Sequence, residues 1–220
     1  MFINVNHQDI YYEKRGEGQP IILVHGNGET HEIFNLISSQ LEKSYTVYVL
    51  DSRGHGQSSP VNQYHYVDMM EDIAAFIEAL HLHGAYFFGF SDGGIIGLLL
   101  AIHHPELISV LMVAGPNTHP RGLRAHFYAS LWLHQKLKPS PFIRLMLHEP
   151  HIAFHELNYI SIPTLLLAGE NDIARHSHFK RIASHIKNCT FQVLKGETHE
   201  SYVVNSPKLY SLITDFLSKL

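Results

Sequence analysis

Short apolar, largely β-branched or aromatic runs recur along the chain: Ile21-Ile22-Leu23-Val24, Thr46-Val47-Tyr48-Val49-Leu50, Tyr86-Phe87-Phe88, Val110-Leu111-Met112-Val113, Thr164-Leu165-Leu166-Leu167 and Phe191-Gln192-Val193-Leu194. Between them the period changes to that of helices, expected near 30–43, 64–82, 92–104, 176–187 and 201–219. Within Asp68 to Leu80, for example, Ile73, Ala74, Phe76, Ile77 and Leu80 form one apolar stripe. Alternation of strand and helix predicts an α/β fold with a mostly parallel sheet, and strands apolar on both faces predict helices on both sides of it. The opening differs. Phe2 to Asn6 and Asp9 to Lys14, separated by His7-Gln8, read as an antiparallel hairpin at the sheet edge.

The rhythm breaks between Pro116 and Ile162. A helical stretch from Arg121 to Leu137 is followed by Pro139 and Pro141, then by two short helical pieces broken at Pro150. No strand fits there. The segment is too long for a loop and too short for a second domain, so we expect a single domain over 1–220 carrying a short helical cap at about 117–161.

Composition narrows the function classes. The 220 residues are 45% hydrophobic and 16% charged, as in a packed globular protein, with a formal charge of -4 and no basic run to meet a phosphate backbone. Nucleic acid is therefore not an expected partner. The one cysteine, Cys189, cannot form an internal disulfide, and Met1 to Asn6 lacks the charged start and apolar run of a signal peptide, which points to the cytoplasm. Ile95 to Ile102, interrupted by Gly97, is far below the roughly 20 residues that span a bilayer, so no membrane partner is expected. The 19 histidines lack His-Glu-x-x-His or CxxC spacing, and neither a metal nor another cofactor is expected.

The chemistry concentrates at Gly89-Phe90-Ser91-Asp92-Gly93-Gly94, which follows one apolar strand and opens a helix. A sharp strand-to-helix turn lifts its serine above the sheet edge, and the flanking glycines let backbone pass close by. Such a serine needs a base, and the base needs an orienting carboxylate. Two later strand ends supply them: Ala168-Gly169-Glu170-Asn171-Asp172 and Lys195-Gly196-Glu197-Thr198-His199. In an open parallel sheet all three groups gather at the carboxyl ends of the strands. Asp51 and Glu170 compete with Asp172 as the acid, and His25 and His55 with His199 as the base. Ser58 and Ser59 read as loop residues.

With these motifs in order, the sequence resembles the alpha/beta-hydrolase superfamily over essentially its whole length. His25-Gly26-Asn27-Gly28 is similar to that family's oxyanion-loop turn, and Asp51-Ser52-Arg53-Gly54-His55-Gly56-Gln57-Ser58 to its D-x-R-G-H-G-x-S signature. The Ser-Asp-Gly-Gly elbow and short insertion resemble small bacterial serine esterases and relatives of valacyclovir hydrolase. The resemblance implies Ser91 as nucleophile, His199 as base, Asp172 as its partner, and the backbone N–H groups of Asn27 and Asp92 as the oxyanion hole. Asn27 departs from the all-glycine loop of some lipases, and Ser91 departs from the aspartate of dehalogenase-like and epoxide hydrolase-like members.

The expected activity is that of a carboxylesterase-like serine hydrolase acting on a small ester or related acyl molecule. A thioesterase, a lactonase, a carbon–carbon bond hydrolase and a ligand-binding or signalling protein on the same scaffold are the alternatives. Leu131, Trp132, Phe142, Leu145 and Met146 are the cap residues expected to line the acyl site.

Overall fold

A computed structural model describes all residues from Met1 to Leu220. Its eight strands are β1 (Phe2–Val5), β2 (Gln8–Arg15), β3 (Gln19–Val24), β4 (Tyr45–Leu50), β5 (Ala85–Phe90), β6 (Ile108–Ala114), β7 (Thr164–Asn171) and β8 (Cys189–Thr198). They form one sheet in the order β1-β2-β4-β3-β5-β6-β7-β8. The expected hairpin is there: β1 pairs antiparallel with β2 and β2 antiparallel with β4, while every other pairing is parallel.

Alternation within the strands assigns the two faces. On β3, Ile21 and Leu23 join one apolar layer, where α1 (Asn35–Leu41) and α7 (Lys208–Leu217) contribute Ile37, Leu41, Leu209 and Ile213. Ile22 and Val24 point the other way, onto α2 (Tyr66–Ala79), α3 (Asp92–His103) and α6 (His176–His185), through side chains such as Ile73, Phe76, Leu98 and Phe179. Each fully buried Leu, Ile or Phe contributes about 1.5–3 kcal/mol. Helices on both faces therefore follow from strands that are apolar on both faces. No helix is long and apolar enough to cross a membrane.

Between β6 and β7 lie α4 (Ala125–Leu137), α5 (Pro141–His148) and two 3₁₀ turns, Pro120–Gly122 and Phe154–Tyr159. The break expected at Pro150 separates α5 from the second turn. Three helix ends differ from expectation. The stretch from Arg121 enters α4 only at Ala125, because Leu123 is held in a short antiparallel bridge to Ala174. The first helix is a 3₁₀ turn, His31–Phe34, running into α1. The last helix begins at Lys208 instead of near 201. Pro207, which has no N–H to give to a preceding turn, stands at its N-cap, and Asn205 just before it has a positive φ of 45°.

Candidate active site

The turn after β5 places Ser91, half-buried, in a strained backbone conformation. Its backbone sits at φ 52°, ψ -110°, a conformation that costs a non-glycine residue about 1–3 kcal/mol and persists only when neighbours enforce it. They do: Ser91 N–H donates to Ala114 O (2.8 Å) and Gly93 N–H donates to His25 O (3.1 Å), pinning the turn between β6 and β3. A Cβ on Gly89 would run into the Gly93 carbonyl, and one on Gly93 into the Val24 carbonyl, so the elbow closes only with glycine at both positions.

Ser91 Oγ lies 2.9 Å from His199 Nε2, and His199 Nδ1 lies 2.9 Å from Asp172 Oδ1. Asp172 is fully buried, and accepts further bonds from Gly169 N–H (3.2 Å, Oδ2) and Ala174 N–H (3.2 Å, Oδ1). An ionised carboxylate only accepts, so Nδ1 carries the imidazole proton and Nε2 presents its lone pair to the serine. The Phe90 ring packs against His199 at 4.9 Å. Gly115, at φ 65°, passes so close that a Cβ there would strike the imidazole.

The sequence competitors are engaged elsewhere. His25 is buried, with Nε2 accepting from Ser52 N–H (3.0 Å), and burial lowers its pKa to about 4. His55 Nε2 accepts from Gly28 N–H (3.2 Å), and burial also lowers it. Asp51 accepts from the N–H groups of His31 (2.7 Å) and Gln57 (2.9 Å), under the turn it begins. Glu170 is exposed and accepts from Gly196 N–H (2.8 Å). Ser58 donates to the Asp51 carbonyl (2.6 Å), and Ser59 Oγ accepts from Asp9 N–H (3.0 Å). No group of three or more His, Cys, Asp or Glu side chains is arranged to hold a metal ion.

Around Ser91, two backbone amides have no internal acceptor: Asn27 N–H, in the loop after β3, and Asp92 N–H, at the start of α3 with no carbonyl one turn back. Four side chains organise this surface, none of which the sequence singled out as a side chain: Asp92, Tyr66, Asn27 and Glu29. The Asp92 carboxylate is buried and accepts from Tyr66 Oη–H (2.8 Å) and Asn27 Nδ2–H (2.8 Å). Burial raises its pKa to about 6 against the opposing pull of those two bonds. Glu29 Oε2 accepts from Gly26 N–H (2.9 Å), and burial, with smaller help from Glu200 and Asp92, raises its carboxyl to about 7. The one available signal was placement: Asn27 and Glu29 lie in or just after the loop that follows β3, and Tyr66 and Asp92 open α2 and α3.

Of the five expected pocket residues, one touches this surface. The Phe142 carbonyl accepts from Asn27 Nδ2–H (3.3 Å), and its ring packs on His55 (4.7 Å) and Tyr64 (4.8 Å). Leu131 and Leu145 are buried in the apolar layer and Met146 packs against it. Trp132 is 50% exposed on α4, with Lys136 Nζ 3.9 Å above its ring.

Comparison with known proteins agrees with this architecture. Residues 19–147, more than half of the chain, match the family profile of the alpha/beta hydrolase fold. The uncharacterized hydrolase YraK of Bacillus subtilis (strain 168) is 37% identical over 111 residues, which cover 49% of this chain and 41% of that protein. Serine hydrolase BPHL of Homo sapiens is 25% identical over 248 residues, covering 98% of this chain and 85% of that one. The chain thus spans less than half of YraK but most of BPHL. Among solved structures, the enol-lactonase from Burkholderia xenovorans LB400 superposes with a TM-score of 0.83 at 19% identity, covering 99% of this chain and 100% of that one. The chain belongs to the alpha/beta hydrolase family, and its class is that of a hydrolase.

Proposed function

We propose that this protein is a serine hydrolase that cleaves a small carboxylic ester or related acyl compound through an acyl-enzyme. The observation that carries the reading is the continuous hydrogen-bonded chain Ser91–His199–Asp172, at 2.9 Å for each link. His199 takes the proton as Ser91 Oγ attacks the acyl carbon, and Asp172 holds the imidazole in its productive tautomer and stabilises the imidazolium. The tetrahedral oxyanion is held by the N–H groups of Asn27 and Asp92, each contributing about 3 kcal/mol to lowering the barrier. His199 then gives its proton to the departing alcohol. Water, deprotonated by His199, cleaves the acyl-enzyme to the carboxylic acid and restores Ser91.

In this reading the chain works as one domain and residues 117–161 act as a cap over the acyl site. The bond from Asn27 to the Phe142 carbonyl supports that role, since it docks α5 onto the oxyanion loop. The test is hydrolysis of p-nitrophenyl acetate by Ser91→Ala. Turnover should be lost apart from a residue of at most about 10³ over water, with an unchanged Tm. Near wild-type turnover would overturn the mechanism.

A further inference from the structure

Away from Ser91, a groove of about 460 Å³ opens between the turn after β6 and the first turn of α6. Arg121, Arg175 and Arg181 line it together with His119, His178 and Ser177, and no acidic residue does. This is an unusual local balance in a chain of net charge -4. Arg15 and Arg53 are paired with carboxylates, but none of the three groove arginines is. The nearest acidic side chains are engaged with backbone amides: Glu156 accepts from Ala153 N–H (2.6 Å), and Glu170 accepts from Gly196 N–H.

Two of the three guanidinium groups are also held in place. Arg175 donates to the Arg121 carbonyl, and the Arg181 guanidinium lies 4.0 Å over the Phe154 ring. His178 is buried with Nε2 accepting from Thr118 N–H (3.0 Å). Burial, then Arg175, His119 and Arg181, lower its pKa to about 4, so it stays neutral beside them. His119 Nδ1 accepts from Arg121 N–H (3.0 Å), which leaves Nε2 as the protonated nitrogen of the neutral ring. Ser177 brings the positive end of α6 to the same space. Ile152, Ala153 and Phe154 supply an apolar wall.

We propose that this groove is a binding site for a small phosphate monoester with an apolar body. Planar guanidinium forks match phosphate oxygens two at a time, and three unpaired ones around a concavity lose their mutual repulsion when a dianion enters. The body would lie along Ala153 and the half-buried Phe154, since Ile152 behind them is buried. The site shares no lining residue with Ser91, Asp172 or His199, so the proposal stands independently of the acyl-transfer reading.

The test is calorimetric titration of the full-length protein with phenyl phosphate, inorganic phosphate and succinate, at ionic strength fixed with chloride. Wild type should bind phenyl phosphate saturably, with Kd of order 1 mM or tighter, and more tightly than inorganic phosphate. R121Q/R181Q, and R181Q alone as a milder variant, should weaken that binding by about tenfold or more in the double case. Their Tm without ligand and their p-nitrophenyl acetate hydrolysis should match wild type. Absence of saturable binding, equal affinity in the double variant, or succinate binding as tightly as phenyl phosphate would each overturn the proposal.

Discussion

The side-chain amide of Asn27 donates to the carboxylate of Asp92 at 2.8 Å, tying together the two residues whose own backbone N–H groups stand free beside Ser91. The spacing of those amides is thus set by a buried bond as well as by two loops. Tyr66, from the first turn of α2, takes the other oxygen of Asp92 and fixes the carboxylate in turn.

Removing this tie should separate positioning from chemistry. Asn27→Ala keeps the backbone N–H but leaves Asp92 buried with one partner, at a cost of about 1–3 kcal/mol in stability. If the two amides form the oxyanion hole, kcat for p-nitrophenyl acetate should fall by about 10- to 100-fold, since small displacements of a transition-state donor are expensive. Tyr66→Phe should cost comparable stability but less kcat, because it leaves the Asn27 bond in place. Equal kcat losses in the two variants would contradict the positioning role.

The choice of acid is testable by comparison. Asp172→Asn should reduce kcat by about 10⁴, as expected when the imidazole is held in the wrong tautomer. Glu170→Gln, whose carboxylate reaches only Gly196 N–H, should stay near wild type. Steady-state rates of the two purified variants decide the point, and the reverse order would reassign the acid.

Stability should depend on pH through groups of opposite sign. Glu29 is raised to about 7 and Asp92 to about 6, so the folded protein holds protons that the unfolded chain releases. Their contribution is present at acid pH and is lost as pH rises through those values. His25 and His178 are lowered to about 4, so theirs is lost as pH falls from about 6.5 towards 4. Glu29→Gln, which can still accept from Gly26 N–H, should gain on the order of 1–3 kcal/mol relative to wild type at pH 8 compared with pH 5. Urea unfolding at the two pH values measures this, and an unchanged difference would show that Glu29 does not titrate in the fold.

Acyl chain length is the fourth prediction. With Leu131 and Leu145 committed to the core, and Phe142 held against His55 and Tyr64, little of the segment between β6 and β7 is free to line a long channel. Specificity should rise by about 0.8 kcal/mol per buried methylene over the first few carbons and then fall. Values of kcat/KM from acetate to palmitate would show it, and a maximum at the long end would refute a short site.

The parallel strands were legible because most are short apolar runs bounded by turn residues, and the meeting of Ser91, Asp172 and His199 was legible because each stands at such a run's end. Asp92 was read only for its backbone, since nothing local to Gly-Phe-Ser-Asp-Gly shows that Tyr66 and Asn27 meet its side chain. Glu29 escaped for the same reason: its bond to Gly26 N–H depends on the path of the loop. The pocket residues were least legible, because an apolar residue in an inserted helix serves core and cavity equally well. Leu131 and Leu145 took the core, and Trp132, 50% exposed, took neither.

The hydrogen-bonded trio also carries a consequence for biosynthesis. Ser91 is emitted from the ribosome 108 residues ahead of His199, and its strained turn leans on β3 and β6, both made before β7. The elbow can therefore form on a growing chain while its imidazole partner is still unmade. If Ser91 and His199 work as proposed, hydrolysis would switch on only after the edge strand β8 docks beside β7, so turnover by a ribosome-bound series of lengthening chains would report completion of the sheet.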